Sequence, residues 1–506
     1  MIFLTLIGYN QIQINEESMP NRLLSKSKYL TGLQCPKLLW VQINDPKRLS
    51  QIDLATQFIF DQGHFVGELA KKLFSEGVDV PNDGFMENIA ATKKLLNEKK
   101  PLFEAGILSG RIYSRVDILR PTDGDQWDII EVKSSTSVKE VNVQDVAFQR
   151  HCCENQGLPI NHCYLAYINN QYVRDGEINP QELFKIDDIT DFVEEASQGI
   201  LDRVDNMFED MAREKCPEIG IGLHCRDPYE CALTECWDFL PEHNIFNLYY
   251  GGKKCFDLYE SGIFTVKEIP DSYKLNGKQN IQKTCEISGQ PYMDKEAIND
   301  FLSTLQYPLY YLDFETIGPA VPLFDGTRPY QAVPFQFSLH VVNDEKTSLE
   351  HFSFLAGSPD DPRPAFLSEL KKVLSDSGSI VVYNQDFEEG ILKGLAVAFP
   401  EYDDWVTGIR DRLVDLLQPF RSFYYYHPKQ KGSASIKKVL PALTGKSYDG
   451  MEIAEGNEAS NKFYNVTYGK ATEEERNKVR QDLEEYCALD TEGMIWIANK
   501  LRELID

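Results

Sequence analysis

Asp313 and Glu315 alternate with apolar residues in the segment LDFETIG, and Tyr486 and Asp490 stand four residues apart near the C-terminus. Successive side chains of a strand point to opposite faces, so the first two carboxylates share one face of a predicted strand. Residues at i and i+4 share one face of a helix, so Tyr486 and Asp490 can address the same site. Acids gathered in one pocket raise each other's pKa unless cations separate them. The pattern therefore predicts a site for two divalent cations, which activate water for hydrolysis of a phosphodiester.

A fourth acid follows the predicted strand SIVVYN, in the segment NQDFEEG. In order, LDFETIG, NQDFEEG and EYCALD resemble the three motifs of DEDD exonucleases of the tyrosine subclass. Phe387 fixes the register in favour of Glu388, where the family has aspartate, and Asp386 is the nearby alternative. The resemblance implies an RNase H-like fold and 3′–5′ exonuclease activity, with Tyr486 orienting the attacking water as a base or through a hydrogen bond. Its implied Mg²⁺ or Mn²⁺ ligands are Asp313, Glu315, Glu388 and Asp490.

Asp117, Glu131 and Lys133 lie on two neighbouring predicted strands, RIYSRVDILRP and WDIIEVKSS, joined by a turn. Glu131 and Lys133 project from the same face, and two acids brought together across a hairpin favour a Mg²⁺ ion between them. Lys133 can then position or activate water. The alternative is two exposed acids and a lysine on an edge hairpin.

The residues that follow resemble the RecB-like branch of the PD-(D/E)XK nucleases. Gln144 and Phe148 take the places of the Q-x-x-x-Y pair in that family's helix, with phenylalanine where the family has tyrosine. Upstream, GHFVGE resembles the family's first helix. Gly67 stands at the histidine position, so Glu68 or His64 would have to substitute. The resemblance assigns catalytic roles to Asp117, Glu131, Lys133 and Gln144, with the two acids as metal ligands.

Four of the eleven cysteines stand in loop-like or helix-end positions: Cys35 in GLQCPKLLW, and Cys225, Cys231 and Cys236 in GLHCRDPYECALTECW. One N-terminal and three later cysteines resemble the set of the iron–sulfur nucleases. This implies a 4Fe–4S cluster that closes a loop of about 190 residues, with zinc as the alternative. The remaining cysteines sit in helical or strand patterns and are expected in the core, except Cys216, a possible substitute ligand.

The stretch from 421 to 438, RSFYYYHPKQKGSASIKK, combines aromatic rings with cations. Bases stack on such rings while cations follow the backbone. We therefore expect a groove for a single strand here, against the alternative of a basic surface loop with buried tyrosines. Its predicted nucleic-acid-binding residues are Tyr424, Tyr425, Lys429, Lys431 and Lys437.

Strand and helix patterns alternate along the chain and predict an α/β protein. Together with the two resemblances they give four segments. Residues 1–18 are a tail or a misassigned start, and 19–242 form a PD-(D/E)XK, restriction-endonuclease-like domain. Residues 243–300 form a small helical connector that resembles a helix-hairpin-helix element, and 301–506 form an RNase H-like domain.

The composition is that of a folded, globular protein: 42% of residues are hydrophobic, 26% are charged and the formal net charge is −27. Such an acidic chain repels polyanions on average, so nucleic acid must meet local basic patches or metal ions. We find no signal peptide and no membrane-spanning run, which predicts a cytoplasmic protein without a membrane partner.

Taken together, these features predict a metal-dependent nuclease that acts on DNA or RNA, with a single-stranded end as substrate, in repair or defence against foreign DNA. One alternative is a nucleic-acid-binding scaffold in which one or both sites are inactive. The departures at Phe148 and Gly67 favour the first domain as the inactive one. A third class, an iron–sulfur redox protein, lacks a flavin or nucleotide fingerprint.

Overall fold

The computed structural model describes residues 23–82, 84–344 and 349–505. The chain divides into two compact units. The first unit holds the described residues through Asp238 together with Pro319–Tyr330, and the second holds the rest. The division falls four residues before the predicted boundary at 242, and the predicted connector belongs to the second unit. The predicted tail, 1–18, lies outside the described residues.

A mixed seven-stranded sheet forms the centre of the first unit, in the order β2-β3-β4-β5-β6-β7 with β1 beside β4. Strands β3, β4 and β5 are antiparallel neighbours, whereas β5 and β6 run parallel. The strands are β1 (Leu24–Ser25), β2 (Val78–Asp79), β3 (Leu102–Ser109), β4 (Ile112–Pro121), β5 (Trp127–Lys133), β6 (Ile160–Ile168) and β7 (Phe184–Asp188).

Helices cover this sheet, and its two faces belong to two separate apolar clusters. Ile129 of β5 packs in one cluster with α5, whereas Ile130 and Val132 pack in the other with α3. Glu131 therefore shares its face with Ile129, as alternation along a strand requires. The helices are α1 (Lys26–Gln34), α2 (Pro36–Asn44), α3 (Leu54–Lys71), α4 (Phe85–Leu95), α5 (Glu140–Asn155), α6 (Pro180–Leu183), α7 (Thr190–Ser197) and α8 (Ile200–Ala212).

The second unit contains a mixed five-stranded sheet in the order β11-β10-β9-β12-β13. Strands β11, β10 and β9 are antiparallel neighbours, and β9, β12 and β13 run parallel. A separate pair, β8 and β14, is antiparallel. The strands are β8 (Tyr292–Met293), β9 (Leu309–Ile317), β10 (Val333–Val342), β11 (Glu350–Leu355), β12 (Ser379–Val382), β13 (Leu413–Asp415) and β14 (Tyr425–Tyr426).

Ten helices are present in the described part of this unit. The last, of 33 residues, forms as predicted from the segment that follows residue 472. None of the helices in the described ranges combines the length and the apolar character needed to cross a bilayer. The helices are α9 (Lys253–Glu260), α10 (Gly277–Ser288), α11 (Lys295–Ser303), α12 (Arg363–Val373), α13 (Gln385–Ala398), α14 (Asp403–Arg410), α15 (Gln418–Arg421), α16 (Ile436–Thr444), α17 (Gly456–Tyr468) and α18 (Glu473–Ile505).

The mixed α/β class predicted from the sequence is therefore confirmed.

Candidate metal centre

The central strand β9 presents two acids on one face of the second unit's sheet. Leu312 and Phe314 point into the apolar core beneath the sheet, so Asp313 and Glu315 point to the opposite face. Phe314 packs edge-on against Phe366 of α12, at 5.1 Å between ring centroids. This apolar contact fixes the register that directs both carboxylates to the same side.

Helix α18 lies on that acidic face and is fixed to it by hydrogen bonds from β10. The Gln336 amide donates to the backbone carbonyl of Leu483 (2.9 Å), and the hydroxyls of Ser338 and Thr491 are 2.8 Å apart. Asp490, the neighbour of Thr491, is thereby directed toward β9.

Asp313, Glu315 and Asp490 converge. One carboxylate oxygen of each lies within 4.8 Å of the others, and Glu315 and Asp490 are buried. Within the described residues, this is the one group of three or more His, Cys, Asp or Glu side chains that meets so closely. The three acids drawn from two sequence motifs therefore lie at one site.

Glu388 lies on the first turn of α13 and is 1% exposed. Its Oε2 atom has no hydrogen-bond partner among the described residues. Asp313 is near enough to raise the pKa of Glu388, after the larger effect of burial. A buried carboxylate oxygen without a partner is costly, so this acid favours a cation nearby.

The electrostatics of the four acids support the same conclusion. Burial, followed by the charge of Asp490, raises the pKa of Asp313 well above its ordinary value, and burial followed by Asp313 does the same to Glu315. Burial also raises the pKa of Asp490 to about 6. Acids with such pKa values resist joint ionisation, and an all-oxygen donor set suits Mg²⁺ or Mn²⁺. The residues present therefore fit the divalent cations that the sequence implies.

Tyr486 lies beside the acids, and burial, followed by the charge of Asp490, raises its pKa. The side chain is thus a neutral phenol that donates a hydrogen bond, which favours the hydrogen-bonding role over that of a base. Lys437 of α16 donates to the Tyr486 hydroxyl at 3.1 Å and also contacts the Ala454 carbonyl. Lys437, predicted to bind nucleic acid in an exposed groove, therefore stands at the acid cluster instead.

Two further residues of this site escaped sequence reasoning. The Tyr448 hydroxyl donates to Asp490 Oδ1 at 2.5 Å, and the Cys487 sulfur lies 3.7 Å from Asp313 Oδ2. Tyr448 comes from a loop after α16 without a recognisable motif. Cys487 was expected in the core; it is fully buried, and its position next to Tyr486 is the signal that could have placed it at the site.

In the first unit, Asp117 of β4 and Glu131 and Lys133 of β5 also meet. The Lys133 ammonium donates to Glu131 Oε1 at 2.5 Å, and Asp117 Oδ2 accepts from the backbone N–H of Val132 at 2.9 Å. Burial, followed by the charge of Glu131, raises the pKa of Asp117 to about 7. Glu131 is fully buried, which opposes its ionisation, but the ammonium groups of Lys133 and Lys26 hold its pKa below the ordinary value.

The helix that completes this cluster contributes different residues from those predicted. Asp145 and Gln149 of α5 face the site: the Gln149 amide donates to Glu131 Oε2 at 2.6 Å, and Lys133 donates to Asp145 Oδ2 at 2.8 Å. The assignment of Gln144 is corrected accordingly, because its Oε1 atom is buried away from any partner among the described residues. The pair at i, i+4 is shifted by one residue, which rotates the helix face by about 100°.

Phe148 and the upstream helix also lie elsewhere than the resemblance implied. The Phe148 ring stacks on Tyr29 of α1, at 4.6 Å between centroids, and so packs in the core. Glu68 of α3 pairs with Lys71 at 2.6 Å with its side chain 57% exposed, and His64 is exposed. Neither Glu68 nor His64 joins the acid cluster. The acids and lysines of this cluster are Lys26, Asp117, Glu131, Lys133 and Asp145.

Three of the four predicted cysteine ligands, Cys35, Cys231 and Cys236, pack in one apolar cluster with Leu38, Val41 and Leu233. Cys225 lies near enough to Cys35 and Cys231 to affect their pKa values. Burial and the neighbouring thiols of Cys225 and Cys236 raise the pKa of Cys35, which lies between α1 and α2. Burial and the same two thiols also raise the pKa of Cys231. Within the described residues no three of these sulfurs lie within 4.8 Å of one another. Cys216 packs at the edge of the same cluster.

The predicted single-strand groove is folded inward. Tyr425 pairs with Met293 in the β8/β14 ribbon and is 5% exposed, so its ring cannot stack on a base. Lys431 pairs with Glu242 at 2.6 Å, Tyr424 is half-buried and Lys429 is exposed. Burial of the aromatic rings stabilises the fold more than their exposure would. The basic residues in the same stretch nevertheless favoured the prediction of an exposed groove.

A different aromatic and basic surface is present in the second unit. A cavity of about 580 Å³ is lined in part by Tyr249 and Tyr250, by Lys278 at the start of α10 and by Arg421. Tyr250 is 82% exposed, and its ring packs edge-on against Tyr249 at 4.6 Å. We call this the tyrosine cavity. It lies in the predicted connector and at the first residue of the predicted groove.

Comparison with known proteins extends over part of the chain. Residues 310–435 match a family described as a domain of unknown function, DUF2779, a range that includes Asp313, Glu315 and Glu388 but ends before Asp490.

The chain is also 28% identical over 237 residues to an uncharacterized protein of Mycoplasma pneumoniae, covering 42% of this chain and 36% of that protein. It is 28% identical over 219 residues to an uncharacterized protein of Mycoplasma genitalium, covering 38% and 32%. A protein of Ureaplasma parvum is 25% identical over 233 residues, covering 42% and 34%. The chain thus spans about a third of the length of these curated relatives, and none of their descriptions names an activity.

Proposed function

We propose that the protein is a divalent-cation-dependent nuclease whose second unit hydrolyses phosphodiester bonds of DNA or RNA, as a 3′–5′ exonuclease with an RNase H-like fold. The observation that carries this proposal is the convergence of Asp313, Glu315 and Asp490 within 4.8 Å. The unpartnered oxygen of Glu388 next to them supports it.

Each residue has a role that its contacts suit. Asp313, Glu315, Asp490 and Glu388 would hold the cations, which when bound lower the pKa of water and offset the charge of the leaving oxygen. Tyr486 donates a hydrogen bond that orients the attacking water. Lys437 donates to the Tyr486 hydroxyl at 3.1 Å and brings a positive charge near Asp313 and Glu315.

Two parts of the proposal concern the remainder of the chain. We place the single-stranded end of the substrate along the tyrosine cavity, because exposed rings and cations together suit bases and phosphates. We assign a 4Fe–4S cluster, with zinc as the alternative, to Cys35, Cys225, Cys231 and Cys236, because their thiols are neighbours in the first unit. Its role is structural.

The test is hydrolysis of end-labelled single- and double-stranded DNA and RNA by the full chain with Mg²⁺, with Mn²⁺ or with a chelator. We expect shortening from the 3′ end that requires the cation. Asp313→Asn should reduce the rate more than about 100-fold, beyond the cost of losing an outer-shell partner. Lys133→Met, in the first unit, should retain the full rate of hydrolysis. Cation-dependent activity that survives Asp313→Asn and disappears with Lys133→Met would assign the reaction to the first unit instead.

The alternative function is a nucleic-acid-binding scaffold with an inactive site. One observation favours it, and it concerns the first unit only. There, lysines already contact the acids that the resemblance assigns to a metal.

A further inference from the structure

The acid cluster of the first unit has a cation of its own. Lys26 Nζ lies 2.8 Å from Glu131 Oε1, 3.7 Å from Asp145 Oδ1 and 3.8 Å from Asp117 Oδ1. Lys133 Nζ adds contacts of 2.5 and 2.8 Å to the first two acids. Two ammonium charges therefore offset two of the three carboxylate charges, which leaves little net charge to attract a dication.

The carboxylate oxygens are also engaged as hydrogen-bond acceptors. Both oxygens of Glu131 and both of Asp145 accept from Lys26, Lys133 or Gln149 within 2.9 Å. Asp117 Oδ2 accepts from a backbone N–H. Five of the six oxygens are thus satisfied. A Mg²⁺ ion with oxygens at about 2.0 to 2.1 Å would have to displace an ammonium group to enter.

Lys26 is held in this position by the fold around it. It is the first residue of α1, and the preceding β1 pairs with β4, the strand that carries Asp117. The Ser25 side chain caps the helix by accepting from the Lys28 N–H. Tyr29, one turn later, stacks on Phe148 and accepts a hydrogen bond from Arg203 at 3.0 Å. Withdrawal of the ammonium therefore requires a change of side-chain rotamer or movement of α1.

The acid cluster of the second unit differs, because its acids are not paired with lysines in the described ranges. Its acids approach one another within 4.8 Å, and Glu388 keeps an oxygen without a partner among the described residues. Its lysine, Lys437, donates to Tyr486, to a backbone carbonyl and to Glu455, but no direct contact with the three converging acids is present within the described ranges. The two clusters thus differ in what balances their charge.

We propose that the Lys26 ammonium takes the place of a divalent cation in the first unit, and that this acid cluster binds a metal only when that ammonium is removed or withdrawn. Lys26 is then an internal competitor of the metal. This inference does not depend on whether the second unit hydrolyses nucleic acid, because it concerns metal binding at other residues.

The test uses Mn²⁺ alone as the probe and the full chain carrying Asp313→Asn and Asp490→Asn, so that the second site does not contribute. Bound Mn²⁺ is counted by electron paramagnetic resonance and its affinity measured by calorimetry. We expect no specific site in this background, and one new site, with affinity raised at least about tenfold, when Lys26→Met is added. Adding Asp117→Asn as well should remove that site again.

Lys71→Met is the matched control, because Lys71 also lies between two acids of the first unit, Glu68 and Asp79, but away from the cluster. It should create no site. Lys26→Met keeps most of the side-chain stem, and Lys26→Gln serves if that variant unfolds; a rise in Tm with Mn²⁺ in either variant gives a second readout. The proposal is overturned if the background already binds Mn²⁺ in a way that Glu131→Gln abolishes, or if a folded Lys26 variant gains no site.

Discussion

At the scale of single residues, the two acid clusters illustrate how the same side-chain type acquires different roles from its neighbours. Asp313 and Asp490 have pKa values raised by burial and by other acids, whereas Glu131 is fully buried but has lysines beside it. The sequence patterns predicted which acids would meet. They could not predict Lys26, because its partners are on average a hundred residues away along the chain and no motif marks it.

The role of Tyr486 can be tested by removing its hydroxyl. Because a neutral phenol would orient the attacking water, Tyr486→Phe should lower kcat about 100-fold, within the range for removal of a positioned catalytic group. Mn²⁺ affinity measured by calorimetry should change less than kcat.

Tyr448→Phe is the paired variant, because the Tyr448 hydroxyl donates to Asp490 Oδ1 at 2.5 Å. We expect it to weaken Mn²⁺ binding and to affect kcat less. If Tyr486→Phe kept full kcat, water orientation by this residue would be excluded.

The raised pKa of Asp490 predicts how stability depends on pH. Its folded value is about 6 and its ordinary value 3.8, so the folded state binds the proton more tightly than the unfolded state. Metal-free protein should therefore lose stability as pH rises from about 4 through 6, by up to about 3 kcal/mol from this group. Denaturant unfolding with a chelator at several pH values measures it.

Asp490→Asn removes this contribution and should flatten the profile relative to the unchanged protein. Saturating Mn²⁺ at pH 7 should restore the stability of the unchanged protein, since a cation replaces the proton. An identical pH profile in Asp490→Asn would show that Asp490 titrates at its ordinary pKa.

At the scale of secondary-structure elements, strands were predicted better than helix faces. Alternation placed Asp313 with Glu315, and Glu131 with Lys133, on the correct sides, because the period of two leaves one choice once the apolar residues are known. The α5 helix allowed two i, i+4 pairs, Gln144 with Phe148 and Asp145 with Gln149. Only packing against α1 decides between them.

The structure of residues 421–438 differs from the predicted exposed groove for a related reason. Its composition predicts stacking rings near cations, but Phe423 and Tyr426 stack on each other at 4.9 Å inside the second unit. Exposure of an aromatic ring depends on which elements cover it, and composition carries no information about that.

The tyrosine cavity gives a prediction at this scale. If a base stacks on the exposed ring, Tyr250→Ala should weaken binding of a single-stranded oligonucleotide about tenfold, within the range for one stacking contact. Fluorescence anisotropy with Asp313→Asn protein measures affinity without hydrolysis.

Tyr292→Ala is a suitable control, because Tyr292 is 37% exposed in the same unit and does not line the cavity. Affinity unchanged by Tyr250→Ala, or reduced equally by both variants, would remove the cavity from the substrate path.

At the scale of the whole molecule, the described residues form two α/β units, and an acid cluster is present in each. The segment Pro319–Tyr330 belongs to the first unit although the residues on either side belong to the second. Arg174 donates hydrogen bonds to the backbone carbonyls of Pro322 and Leu323. Ala320 packs in the apolar cluster that includes residues of α3. An excursion of this kind cannot be read from local sequence patterns.

The cysteine cluster predicts a property of the purified protein. Anaerobic purification should give a coloured protein with visible absorbance from iron–sulfur charge transfer, and Cys231→Ala should bleach it and lower Tm, because the link between α1 and the segment near residue 231 is lost. Hydrolysis by the second unit should persist below the new Tm.

Zinc in place of iron would give a colourless protein with one equivalent of bound zinc. A colourless, metal-free protein whose Tm does not change in Cys231→Ala would contradict a structural cluster at these residues.

The central claim is that acids of the second unit, and not those of the first, hold divalent cations. Calorimetric titration of Mn²⁺ into the otherwise unchanged full chain, into Asp313→Asn and into Glu131→Gln tests it most directly. We expect specific Mn²⁺ binding in the unchanged chain and in Glu131→Gln, and its loss in Asp313→Asn. Binding that is lost in Glu131→Gln and kept in Asp313→Asn, or no specific binding to any of the three, would contradict the claim.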